Sequence, residues 1–236
     1  MHFIGIDLGW KMNPPRDKGT AICLLTSRGR VEKIELVTSD EEIIDKATEK
    51  NHTWLGIDAP LIIPDRSGLR ECERTLFSKG IRLLPTNRVF FERKFGGCRG
   101  ETIALKLLSQ GFKFPDQSFD EKMVLFEIYP YGLLHIVTNG NVPSYKRGDE
   151  RKRRKEALRA LYLAKRWEPS LEIPSELKAE INCASKRDLA SVMDKIDALL
   201  GAVCVYSHWR NRGRRTESIG NNDDGFILLP KQEAVD

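Results

Sequence analysis

The sequence predicts an α/β fold: a five-stranded mixed sheet flanked by helices, with strands 1, 4 and 5 parallel and strands 2 and 3 an antiparallel meander. Three observations predict it. Three short apolar runs, 3–8, 20–25 and 31–37, precede the first helical pattern, which is the order of a meander. Two later runs, 53–57 and 123–129, alternate with helical patterns, and right-handed crossovers then set them parallel to the first. The chain has 236 residues, 40% of them hydrophobic, enough for a substantial core.

Each element has its own signal. The run from Phe3 to Leu8 is apolar and stops at Gly9, as a buried strand does. Thr20–Leu25 and Val31–Val37 are joined through the turn Ser27-Arg28-Gly29-Arg30. Ser39, with Glu42 three residues on, has capping-box spacing and starts a helix that runs to about Lys50. Thr53–Ile57 is a strand stopped by Pro60. Helices are expected over 70–79, ended by Gly80, and over 101–110, with Gly111 as the C-cap. Met123–Tyr129 is a strand because Pro130 prevents its continuation. Residues 149–167 are helical and charged, 169–181 are interrupted by Pro169 and Pro174, and 188–208 form the best helix. A last short strand is expected at 226–229. We expect a single domain over 1–236, with insertions at about 64–120 and 139–187.

Several classes are excluded. No apolar run approaches the roughly 20 residues of a membrane span. The start lacks a basic segment before an apolar stretch, so no secretory leader is expected. Five scattered cysteines, with no CxxC pair, predict neither a disulfide framework nor a zinc knuckle and suit a reducing cytoplasm. The net charge of +5 is mild and points only toward an anionic partner.

The acids carry the chemistry. Gly5-Ile6-Asp7 and Gly56-Ile57-Asp58 both end apolar strands. Strand 4 should lie beside strand 1, away from strand 2. The two crossovers then leave in different directions and open a crevice at the carboxyl ends of those strands. Asp7 and Asp58 would meet there and repel each other unless a cation lay between them. Asp194 and Asp197, three apart, share a helix face with Ala190 and Gly201, beside an apolar stripe. Glu127 interrupts an apolar strand and is expected to reach the same edge. The plainer alternatives are turn-forming aspartates, an exposed helix face and an outward-facing glutamate. Acidic oxygens without clustered His or Cys suit Mg2+ or Mn2+ rather than zinc. Two such ions roughly 3.5–4 Å apart can hydrolyse a phosphodiester.

Gly5-Ile6-Asp7, Asp58-Ala59-Pro60-Leu61, Arg70-x-Cys72-Glu73-Arg74, Glu127-Ile128-Tyr129-Pro130, Tyr145-Lys146 and Asp194-x-x-Asp197-Ala198-Leu199 occur in this order. Together they resemble domain-of-unknown-function family 429, over nearly the whole chain. The resemblance implies a ribonuclease H-like fold and a nuclease. At fold level it is similar to Holliday-junction resolvases, which implies Asp7, Asp58, Asp194 and Asp197 as metal ligands. Glu127, expected among the catalytic acids, has no counterpart in the resolvase set.

Basic residues supply the expected substrate contacts. Lys146, Arg147, Arg151, Lys152, Arg153, Arg154 and Lys155 form a dense run, and Arg70 and Arg74 stand at i and i+4 soon after Asp58. Arg82, Arg88, Arg93, Lys94 and Arg99 accompany Phe90, Phe91 and Phe95 in a loop-rich stretch that Gly96-Gly97 should make mobile, a composition suited to phosphates and unpaired bases. The plain alternative is a solvated charged surface. The expected function is therefore a metal-dependent nuclease acting on DNA or RNA. A non-catalytic nucleic-acid-binding module is the alternative. Less favoured is a nucleotide-binding phosphotransferase of the actin and sugar-kinase type, because 236 residues hardly hold the two halves it needs.

Overall fold

The computed structural model describes residues 1–12, 20–65, 68–116 and 118–232. Its sheet contains β1 (His2–Asp7), β2 (Thr20–Thr26), β3 (Val31–Val37), β4 (Thr53–Ile57) and β5 (Met123–Glu127), in the order β3-β2-β1-β4-β5. Strand β1 pairs antiparallel with β2 and parallel with β4, where Gly5 lies opposite Gly56 and Ile6 opposite Ile57. Strand β5 runs parallel to β4, with Glu127 opposite Ile57. The five-stranded mixed sheet is thus the one expected from the apolar runs.

Alternation along the strands divides the core in two. Ile4, Ile6, Leu55, Ile57 and Leu125 pack on Ile43 and Ala47 of α1 (Asp40–Thr48) and on Ile103, Ala104 and Leu107 of α4 (Arg99–Ser109). Phe3, Trp54 and Phe126 face the other way, toward α5 (Pro130–Val137), α6 (Glu150–Trp167) and α8 (Leu189–Arg210). Both faces are covered, which is why these strands read as continuous apolar runs. Ser39 caps α1 by accepting from the Glu42 N–H at 3.1 Å, as its spacing predicted.

Helix α8 lies directly on β1. A Cβ placed on Gly5 would stand 2.0 Å from the Ala198 carbonyl oxygen and 2.2 Å from the Ala202 nitrogen. The small face expected around Gly201 is what permits this approach. Burial differs from the expected single stripe: every residue from Ile196 to Ser207 is buried, because other elements close over the helix away from the sheet. Gly5→Ala should overpack a contact made of backbone, which cannot rotate aside. It should cost about 1–3 kcal/mol, read as a lower urea midpoint; an unchanged midpoint would mean the crossing relaxes freely.

Elsewhere the structure corrects the sequence reading. The stretch read as a mobile aromatic loop contains α3 (Arg88–Phe95), capped by the Asn87 side chain and closed by Gly96 at φ +79°. Its rings form a small cluster in which Trp10 stacks on Phe91 at 5.3 Å. Pro130, taken as the stop of a strand, occupies the first turn of α5, where its missing N–H costs nothing. Helix α2 (Glu71–Ser78) stands where the sequence placed it, whereas α7 (Ser175–Cys183) starts directly after Pro174, inside the stretch expected to be interrupted. The last strand belongs to a hairpin, β6 (Thr216–Asn221) and β7 (Gly225–Pro230), which touches the main sheet through an Ile128–Leu228 bridge. Among the described residues, no helix is long and apolar enough to cross a membrane.

Candidate metal centre

The crevice opens at the carboxyl ends of β1 and β4. Asp7 is the last residue of β1, and Asp58 follows β4, its N–H continuing the ladder to the Ile6 carbonyl at 2.8 Å. The close crossing of α8 over Gly5 brings Asp197 to the same edge. Asp7, Asp58 and Asp197 can each offer a carboxylate oxygen such that the three lie within 4.8 Å of one another. Three separate elements therefore deliver one acidic cluster.

A lysine lies among these acids. The Lys146 ammonium is 3.2 Å from Asp7 Oδ2 and 3.2 Å from Asp194 Oδ1, and it also contacts Asp197 Oδ2. The Tyr145 hydroxyl donates to Asp197 Oδ1. Asp194, expected as an equal ligand, lies outside the triad and joins it through Lys146. Beside the cluster is a cleft of about 650 Å³ whose lining includes Asp58, Asp197, Arg82, Lys146, Arg147, Tyr129 and Tyr131. Acids and bases thus share one opening.

Crowding shows in the titration of these groups. Burial pushes the Asp7 carboxyl up to about 8; Lys146 opposes this, while Asp197 and Asp194 add to it. Burial also holds Asp58 well above the carboxylate range, with repulsion from Asp7 and Asp197 adding to the effect. Burial alone would lower the Lys146 ammonium, but attraction to Asp197, Asp7 and Asp194 outweighs it and raises the group. Burial and the negative Asp197 raise the Tyr145 hydroxyl well above its usual range.

These shifts predict a pH dependence. A carboxyl raised in the folded state stabilises most below the ordinary carboxyl range of about 4, and that contribution is lost as pH climbs toward about 8. Buried His208 is lowered to about 4, chiefly by burial, and acts with opposite sign only below its unfolded value of about 6.5. From pH 6.5 to 8 the acids therefore act without it. The chelator-treated protein should lose melting temperature across that interval, and Asp7→Asn should flatten the slope. A wild-type profile already level there would contradict the reading of Asp7.

Several expected site residues lie elsewhere. Glu127 does not join the acids; Arg70 pairs with it in the interior, Nη1 to Oε2 at 2.8 Å and Nη2 to Oε1 at 2.5 Å. Arg70, expected to meet phosphate, is 1% exposed and also binds Glu73 at 3.0 Å. A phosphate cannot reach it. Arg74 is exposed on α2 and donates to the Leu69 carbonyl. Arg154 turns toward the end of α7, donating to the Ile181 and Ala184 carbonyls at 2.5 and 2.6 Å. Arg153 donates to the Tyr145 carbonyl, while Arg151 remains exposed. Lys146 and Arg147 line the cleft, as substrate contacts would. Of the aromatic lining, Tyr129 belongs to the Glu127-Ile128-Tyr129-Pro130 motif, while Tyr131 carried no signal of its own.

Fold and site together define a mixed-sheet α/β protein with a carboxylate cluster at the carboxyl edge of its parallel strands. The chain matches the family model described as protein of unknown function DUF429 over residues 5–224, and it belongs to that family. No curated protein and no solved structure gives a significant match.

Proposed function

We propose that this protein is a Mg2+- or Mn2+-dependent nuclease that hydrolyses phosphodiester bonds of DNA or RNA. The observation that carries this reading is the convergence of Asp7, Asp58 and Asp197 beside a cleft that also presents cations. The donor set fits the ion: its oxygens are all carboxylate and, among the described residues, no His or Cys accompanies them, which favours a hard cation over zinc. Burial raises the carboxyls of Asp7 and Asp58 and neighbouring acids add to that rise, so a bound cation would relieve both. The DUF429 resemblance, with its implied ribonuclease H-like fold, points to the same chemistry.

In this reading Asp7, Asp58 and Asp197 hold the metal and Asp194 supports them from one side. The Tyr145 hydroxyl fixes the orientation of the Asp197 carboxylate. A bound divalent ion supplies Lewis acidity and lowers the pKa of an attacking water. Arg82 and Arg147 neutralise the phosphate backbone in the cleft, and exposed Arg151, Lys152 and Lys155 extend that basic surface along α6. Five free cysteines, four of them buried, fit a reducing cytoplasm, where we place the protein.

Lys146 favours a second reading, because it already supplies the acids with a cation: a nucleic-acid-binding module without turnover. The deciding experiment incubates single-stranded and duplex DNA and RNA with wild type and Asp58→Asn, in manganese or in chelator. A nuclease cleaves only with the metal, and Asp58→Asn loses that cleavage by orders of magnitude. Binding that is equal in chelator, with no cleavage in manganese, would establish the module instead.

A further inference from the structure

We propose that Lys146 is a resident counter-cation, which a divalent ion must displace and an anionic strand in the cleft draws away, so that metal and strand bind with positive coupling. This rests on the metal-site reading above. The ammonium has three N–H donors, and it places them among three carboxylates, Asp7, Asp194 and Asp197. Two of those acids belong to the triad that would hold the metal. An ammonium and a divalent ion cannot share the same oxygens, since like charges a few ångströms apart repel strongly once partly removed from water. Metal entry therefore requires Lys146 to leave.

The structure provides for its departure. The Lys146 side chain is 46% exposed and lines the cleft with Arg82 and Arg147, so the flexible stem can swing from acids to cleft without crossing the core. Its backbone is held. Arg153 Nε donates to the Tyr145 carbonyl at 3.2 Å, and the Arg147 N–H donates to the Ser144 carbonyl at 3.0 Å. The Tyr145 hydroxyl keeps its hydrogen bond to Asp197, so the ligand stays oriented after the lysine has gone. One positive charge thus has two alternative uses. Without a strand, metal binding leaves the ammonium to water; with one, the displaced ammonium meets a phosphate. Linkage makes this reciprocal: metal tightens the strand by the factor by which the strand tightens metal.

The test is calorimetry of manganese binding to the full chain, with and without a phosphorothioate single-stranded oligonucleotide, the binding of ion to oligonucleotide alone being subtracted. Wild type should bind manganese about 5- to 150-fold more tightly with the oligonucleotide. Lys146→Met should bind manganese more tightly than wild type when alone, and gain little from the oligonucleotide. If Lys146→Met does not fold, Lys146→Met with Asp194→Asn removes one unbalanced charge outside the triad and should show the same two changes. Equal or weaker manganese binding by the lysine variant overturns the proposal while leaving the metal site standing. If neither wild type nor variant binds manganese, the metal site falls as well.

Discussion

If the cluster is the catalytic metal site proposed above, Asp197→Asn should remove manganese-dependent hydrolysis by orders of magnitude and leave the metal-free fold close to wild type. The carboxylate is one of three brought to one point, and an amide is a poor substitute at a hard divalent ion. The fold loses little. Asparagine retains an oxygen for the Tyr145 hydroxyl, and Lys146 retains Asp7 and Asp194 as partners. The Lys146 side chain is half exposed although Asp197 is buried, the lysine is not stranded because two acids remain to it, and repulsion on Asp7 and Asp58 falls at the same time. The metal-free melting temperature should therefore move by no more than roughly 4 °C for a chain of this size. Melts with and without manganese, beside a cleavage assay, check it. A variant that melts far lower without metal, yet gains as much from manganese as wild type, would make Asp197 structural.

Arg70→Met has the opposite signature, a large loss of stability. The side chains of Arg70, Glu73 and Glu127 are 1%, 0% and 4% exposed. The guanidinium binds Glu127 through two parallel N–H donors and Glu73 through Nε, the strong bidentate arrangement. The remaining carboxylate capacity goes to backbone: Glu73 accepts from the Arg70 and Thr86 N–H groups and Glu127 from Leu61. Burial already pushes the Glu127 carboxyl up, and Arg70 opposes that rise. Deleting the cation strands two buried acids, at a cost of about 3–5 kcal/mol, or a melting temperature lower by roughly 6–20 °C. Adding Glu127→Gln should restore part of the loss. A phosphate-binding arginine would behave otherwise: Arg70→Met would melt normally and bind nucleic acid less tightly.

The sheet was legible because β1, β4 and β5 are covered on both faces, and the runs of β1 and β4 end in a repeated Gly-Ile-Asp at one edge. Asp197 was legible through its i, i+3 partner and the small residues beside it. Glu127 was not: alternation places a glutamate on one side of a strand but does not show that Arg70, 57 positions away, waits there. Lys146 was read as the start of a basic run, whereas only the tertiary path of its loop sets it among acids. Strand β6 carries little apolar pattern, because four of its six residues are not buried. Helix α3, Arg-Val-Phe-Phe-Glu-Arg-Lys-Phe, resembles an aromatic nucleic-acid loop by composition. Its capping Asn87 and Gly96 were the local signals that distinguish the two.

Whether Asp7, Asp58 and Asp197 hold a divalent cation is read from anomalous scattering of crystals soaked in manganese. An anomalous peak should appear among oxygens of all three carboxylates, at about 2.0–2.3 Å, with the Lys146 ammonium withdrawn from the cluster. Crystals at saturating manganese that show no peak there, with Lys146 still bound to Asp7 and Asp197, would contradict the metal site.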